Sequence, residues 1–269
     1  MDFTGLNNKV ILVTGAAGGF GRRTCELLAK AGVRVVATDI NAEGAEETAR
    51  LCRNLGVEAW SFGHDVTSEK AWKDVMESVS KATGGRLDGL VNNAGRMLTK
   101  PFMRTSLDEL HMLLSTNLDS VWIGMQTAFP MLSSTAQAQG STAIVNISSV
   151  FGRVASVAQA GYSAAKGGIT ILTKSVAAEF ARAGTNIRVN SVHPGPGNTP
   201  LLANGLAELL KEGIMPSAEE ATKMVLSLIP NGRLTEPNDV ANTVMFLCSD
   251  LSRNITGAAF DVDGGYTAV

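Results

Sequence analysis

Val10-Ile11-Leu12-Val13-Thr14-Gly15-Ala16-Ala17-Gly18-Gly19-Phe20-Gly21 is an apolar, β-branched run that ends in a glycine-rich turn and passes directly into the helical stretch Arg22 to Ala31. A run apolar on both faces suits a strand covered on both sides, and the helix that follows supplies one cover. Working outward, runs of the same kind recur at Val33 to Ala37, Glu58 to Phe62, Gly89 to Val91, Ala143 to Ile147, Ile187 to Val192 and Ala259 to Val262, with amphipathic stretches between them. Seven strands alternating with helices predict an α/β fold with a parallel sheet. Right-handed crossovers then make it doubly wound, with helices on both faces.

Helix starts are marked by their caps. Asn41 can cap a helix over Ala42 to Asn54, while Ser106 with Glu109 and Ser217 with Glu220 have the capping-box spacing. Two long helices are expected over Ser106 to Met131 and Tyr162 to Ala183. The segment 195–232, between the sixth and seventh strands, carries an extra helix-like stretch rich in Leu, Met and Ile, and reads as a lid over a substrate site. No repeat or low-complexity linker interrupts the chain, so residues 1–269 are expected to form one domain containing that lid.

Composition narrows the function classes. Of 269 residues, 45% are hydrophobic and 18% charged, enough to fill a two-sided core. The net charge of −2 and the lack of like-charge runs point to neither nucleic acid nor an anionic membrane as partner. Cys25, Cys52 and Cys248 are far apart without CxxC spacing and read as buried small hydrophobes. His64, His111 and His193 are equally scattered, so no catalytic metal is expected. The first apolar run is broken at once by Thr14 and Gly15, which shows no signal peptide or membrane span and implies the cytoplasm.

Gly15, Gly19, Phe20 and Gly21 lie where a strand turns into a helix. Glycines there let the backbone approach a pyrophosphate, whose charge the helix amides then meet. Asp39 ends the second strand eighteen residues after Gly21, close to the spacing at which a carboxylate accepts both ribose hydroxyls and repels a 2′-phosphate. Strand, turn, helix and acid together read as a Rossmann-type arrangement that takes NAD rather than NADP. The other role open to Asp39 is to cap the next helix, a task for which Asn41 is available. Neither Gly18 nor Ile40 is an arginine that could hold a 2′-phosphate, although Arg22 and Arg23 are close in sequence.

Tyr162-Ser163-Ala164-Ala165-Lys166 opens a helix, and the i, i+4 spacing sets Tyr162 and Lys166 on one face. Ser149 lies past the carboxyl end of the fifth strand, where open α/β sheets bind ligands. A phenol ionises near pH 10, so acid/base work at neutral pH requires favouring phenolate by about three units, roughly 4 kcal/mol. A neighbouring ammonium supplies that bias.

With TGxxxGxG at Thr14 to Gly21, Asn92-Asn93-Ala94-Gly95, Ser149 thirteen residues before Tyr162, and YxxxK, the chain resembles a short-chain dehydrogenase/reductase. The resemblance runs from about Lys9 to the C-terminus and takes in Asp65-Val66, Asn117, Pro194-Gly195 and Asp263-Gly264-Gly265. It implies that Tyr162 moves the substrate proton, that Ser149 hydrogen-bonds the substrate oxygen, that Lys166 holds the ribose and lowers the tyrosine pKa, and that Asn117 holds a relay water. It further implies cofactor contacts at Asp39 with Ile40 beside it, at Asp65 and Val66 for the adenine, at Asn93, Ala94 and Gly95 along the groove, and at Pro194, Gly195 and Thr199. Taken alone, Ser149 would more often be a turn residue and Asn117 a side chain bonded to backbone. One position departs from the pattern: Gly197 replaces the usual aliphatic residue whose backbone meets the nicotinamide carboxamide.

A looser similarity, through Trp122-Ile123-Gly124-Met125, Val192-His193-Pro194-Gly195 and Val262 to Tyr266, is to bacterial hydroxysteroid and cyclic-alcohol dehydrogenases. Met97, Phe151, Val154, Leu201, Leu202 and Leu206 give an apolar pocket edge that agrees with it, or else pack the lid against the body. The expected activity is hydride transfer between NAD and an apolar secondary alcohol or ketone. The alternatives are a 3-oxoacyl-thioester reductase, whose usual NADPH preference conflicts with Asp39, and a non-catalytic NAD-binding regulator, which would need none of Ser149, Tyr162 and Lys166. Apolar residues around most of the Tyr162 to Ala183 helix predict a homo-oligomer, a tetramer, built on the two long helices.

Overall fold

A computed structural model describes residues 3–269. Seven strands, β1 (Val10–Thr14), β2 (Arg34–Asp39), β3 (Ala59–Gly63), β4 (Gly89–Asn92), β5 (Thr142–Ile147), β6 (Ile187–Pro194) and β7 (Ala259–Val262), form one sheet in the order 3-2-1-4-5-6-7. Every pairing is parallel. β1, β4, β5 and β6 are buried along their whole length, as helices on both faces require.

The strand residues alternate between two cores. Ile11, Val13, Val35 and Val145 face one, packed with α1 (Gly19–Lys30), α2 (Ala42–Asn54) and α9 (Pro237–Cys248). Val10, Leu12, Val36 and Ile144 face the other, packed with α3 (Glu69–Thr83), α5 (Ser120–Gln139) and α6 (Ala160–Arg182). The three cysteines are free and buried. Among the described residues no helix is long and apolar enough to cross a membrane, and no cluster of three or more His, Cys, Asp or Glu could hold a metal.

Caps start the helices where the side chains predict. Asn41 accepts the Gly44 N–H at the head of α2, and Ser106 with Glu109 closes a full capping box at α4 (Leu107–Leu114). Ser217 accepts the Glu220 N–H at α8 (Ala218–Ser227). The expected helix from Ser106 differs from the observed one, because a π-turn at Ser115–Asp119 separates α4 from α5 and α5 runs on to Gln139. After β6 the chain forms α7 (Pro200–Lys211), turns through Gly213 in a left-handed conformation, and forms α8. The order in which strands are added to the sheet reverses between β1 and β4, and the crevice beyond their carboxyl ends is where such sheets bind ligands.

Candidate active site

The cleft beyond the strand ends has a volume of about 860 Å³. It is walled on one side by the turn after β1. Gly15 and Gly21 are set by packing: a Cβ on Gly15 would lie 2.8 Å from the Ala94 Cα, and one on Gly21 would overlap the Gly15 carbonyl. Asn93 clamps this turn by donating from Nδ2 to the carbonyls of Thr14 (2.8 Å) and Gly15 (3.1 Å). Thr14 Oγ1 in turn accepts the N–H groups of Asn93 and Ala94, both at 3.0 Å.

Gly18 begins α1 without a side chain to satisfy the first amides, and a Cβ there would meet nothing within 4 Å. The head of this helix is therefore an open, electropositive cradle with its free amides beside the cleft. Asp39 lies on the same cleft. Its Oδ2 accepts the Ala17 N–H and its Oδ1 the Asn41 N–H, both at 2.9 Å. The carboxylate is thus held to the glycine turn, while Asn41 does the capping.

Ser149, Tyr162 and Lys166 meet at the floor, from the loop after β5 and the first two turns of α6. Tyr162 faces the Ser149 side chain, whose contact favours the phenolate and whose Oγ accepts the Phe151 N–H at 3.2 Å. His193, on β6, braces this loop. Its Nδ1 lies 3.1 Å from the Ser149 carbonyl and its Nε2 2.8 Å from Ser191 Oγ, so Nδ1–H donates and Nε2 accepts. Burial lowers the His193 pKa and keeps the ring neutral.

Lys166 Nζ donates to the Ile147 carbonyl at 2.8 Å and lies 5.7 Å from the centre of the Tyr162 ring. Burial pushes the Lys166 pKa down to about 7 and the Tyr162 pKa up to about 12, the Ser149 contact opposing the latter. The expected lowering of the tyrosine by lysine is therefore not the state of the protein alone. The same desolvation that penalises phenolate also suppresses the ammonium that would stabilise it.

Asn117 stands in the π-turn with its carboxamide bonded to backbone. Nδ2 donates to the carbonyls of Arg96 and Leu113, both at 2.9 Å, and Oδ1 accepts the Arg96 N–H at 3.2 Å. It still adjoins the reactive groups, since a Cβ on Gly95 would lie 2.7 Å from Asn117 Oδ1 and 3.4 Å from Lys166 Nζ.

The cleft brings together Gly15, Gly19, Phe20, Asp39, Asn93, Ala94, Gly95, Asn117, Ser149, Tyr162, Lys166, Pro194, Gly195 and Thr199. Gly21, Ile40, Asp65 and Val66 do not line it. Ile40 is exposed at 77%, and Asp65 is exposed with its carboxylate accepting the N–H and hydroxyl of Thr67. Val66 is buried, its carbonyl taken by Trp72 Nε1–H. Of the apolar edge, Met97, Phe151, Leu201, Leu202 and Leu206 line the cleft and Val154 does not.

Sequence reasoning missed Thr99, Gln159 and Tyr266, which also face the cleft. Gln159 had a usable signal in its place one turn before Tyr162. Tyr266 had none, because Asp263 folds the chain end back by accepting the N–H groups of Gly265 and Thr267.

A family model described as Enoyl-(Acyl carrier protein) reductase matches residues 15–267. The chain is 36% identical over 263 residues to the cyclopentanol dehydrogenase of Comamonas sp. (strain NCIMB 9872), covering 98% of each protein. It is 39% identical over 262 residues to the cis-4-hydroxycyclohexanecarboxylate dehydrogenase of Sinomonas cyclohexanicum, covering 97% of each. Among solved structures it superposes on NAD+-bound xylitol dehydrogenase with a TM-score of 0.89 and 30% identity, over 97% of this chain and 99% of the other.

Proposed function

Because this chain belongs to the short-chain dehydrogenase/reductase family, we propose that it transfers a hydride between NAD and an apolar secondary alcohol or its ketone, of the cyclic-alcohol or hydroxysteroid class, with Tyr162 as general acid/base. The observation that carries this reading is the convergence of Ser149, Tyr162 and Lys166 at the floor of the cleft that also contains Asp39 and the glycine turn.

The residues present fit a dinucleotide. The free amides at the head of α1 would meet the pyrophosphate. Each Asp39 oxygen accepts one backbone N–H and keeps a lone pair for a ribose hydroxyl. Arg22 is engaged with Thr48 and Gly44, and Arg23 with Glu26 and Asn238, which favours NAD over NADP. When bound, the nicotinamide supplies the hydride acceptor or donor.

In the oxidative direction Tyr162 first passes its own proton to the path beside Lys166 and then, as phenolate, takes the alcohol proton while Ser149 holds the oxygen against it. Lys166 spends one N–H on Ile147 and keeps two for the ribose and the proton path, with Asn117 holding a water beside it. The segment 195–232 acts as the lid, presenting Leu201, Leu202 and Leu206 to the substrate. The names of the Comamonas and Sinomonas relatives support a cyclic alcohol. Among the described cleft residues Lys166 is the one cation, which favours an uncharged substrate over an acyl-carrier thioester. The reading includes a homotetramer in the cytoplasm, and Trp122 of α5 and Ile171 of α6, left largely exposed by a single chain, support the assembly.

A panel of cyclic and steroid alcohols offered with NAD and with NADP, followed by the absorbance of the reduced cofactor, tests the reading. NAD-preferring oxidation of cyclic secondary alcohols is expected. Turnover of 3-oxoacyl thioesters alone, with NADPH, would contradict it.

A further inference from the structure

The cleft is apolar at its lid, yet one side-chain oxygen away from the reactive floor lacks a partner. Gln159 is only 8% exposed and lines the cleft. Its Nε2 donates to Thr99 Oγ1 at 3.1 Å and faces Met97 Sδ at 3.3 Å, while its Oε1 is buried with no hydrogen bond. Thioether sulfur only accepts, so the amide must present nitrogen to Met97 and turn its oxygen away. Buried carbonyl oxygens are nearly always paired, and one left bare beside a ligand cleft points to a donor that arrives with the ligand.

The position of this oxygen is set by the helix that bears Tyr162. The Gln159 carbonyl accepts the Ser163 N–H at 2.8 Å, so the first turn of α6 begins at Gln159. Residues three apart on such a turn lie on one side, with Cβ atoms about 5–6 Å apart. Met97 closes the site from the lid side: a Cβ on Gly205 of α7 would overlap Met97 Cε, so the methionine runs from Gln159 to the lid helix. An unbranched thioether is the side chain most able to yield to an incoming group.

We propose that Gln159 Oε1 accepts a hydrogen bond from a second hydroxyl of the substrate, remote from the carbon that reacts at Tyr162. Resting on the alcohol-dehydrogenase reading above, this makes the preferred substrate a ring diol rather than a simple cyclic alcohol. Monofunctional alcohols enter the same cleft but leave Oε1 bare, and a site built to hydrogen-bond a hydroxyl discriminates against an analogue without it.

The test compares cyclohexanol with each isomer of cyclohexane-1,4-diol in two ways, by kcat/KM with NAD and by the rise in Tm that each ligand gives to the NADH-loaded protein. The wild-type protein should favour one diol isomer by about tenfold or more in kcat/KM, the effect of one substrate hydrogen bond of ~1.4 kcal/mol. That isomer should also give the larger rise in Tm. Gln159→Met, or Gln159→Leu if the first does not fold, should bring the kcat/KM ratio close to one. A wild-type protein with no diol preference in either measurement, or a preference that survives removal of the carboxamide, overturns the proposal. Failure to turn over any of these alcohols would count against the broader reading, and the Tm comparison would still decide the role of Gln159.

Discussion

A Cβ on Gly197 would overlap Cζ at the tip of the Phe20 ring, so the large residue in the glycine turn and the missing side chain in the strap after β6 are one packing arrangement. The strap cannot retreat, because Thr235 donates to the Pro196 carbonyl and accepts the Asn198 N–H, both at 2.9 Å. Gly197→Val should therefore displace Phe20 from the head of α1 and weaken dinucleotide binding, and Phe20→Ala in the same chain should restore it. Equal NAD affinity of Gly197→Val and wild type by calorimetry would show that the two positions are independent. Lys166 carries a pH signature of its own. Burial lowers its pKa from 10.5 to about 7, so between those values the unfolded chain holds a proton that the native chain has released. Stability of the protein without cofactor should rise with pH across that window, by up to ~1.4 kcal/mol per pH unit relative to Lys166→Met. Urea midpoints for the two proteins that run parallel from pH 7 to pH 10 would mean that the buried ammonium keeps its charge.

At the scale of elements, most of the scaffold was legible because strand burial leaves a plain mark. All seven apolar runs became strands, yet several extend past their expected ends into Thr14, Thr38, Asp39, Asn92, His193 and Pro194. Asp39 and Pro194 line the cleft and Thr14 and His193 brace residues that do, positions that an apolar pattern does not mark. The caps at Asn41, Ser106 and Ser217 were readable from side-chain chemistry alone. The π-turn that interrupts the Ser106 helix was not, since one extra residue in a turn leaves no compositional trace. The site divides in the same way. Glycine turn, Asp39, Ser149, Tyr162 and Lys166 have fixed spacings and converge, whereas Thr99 and Tyr266 reach the cleft only through the packing of distant segments, and the one mark of Gln159 was its place a turn before Tyr162.

The whole molecule leaves Trp122 at 52% and Ile171 at 63% exposed on two helices of one sheet face. Bulky apolar groups at those places predict a second copy of the chain against them. Light scattering of the wild-type protein should give a multiple of 28.1 kDa, and Trp122→Glu with Ile171→Glu should reduce it to the single-chain mass. A stable wild-type monomer at sub-micromolar concentration would refute the tetramer. The α6 helix that carries Ile171 bears Tyr162 in its first turn, and the function proposed for the molecule turns on that one hydroxyl. The direct measurement is Tyr162→Phe, with NAD affinity by calorimetry beside turnover of a cyclic alcohol. Loss of general acid/base help should cut kcat by ~10²–10⁴-fold with NAD affinity nearly unchanged, whereas near-normal turnover in that variant would contradict the assignment of Tyr162.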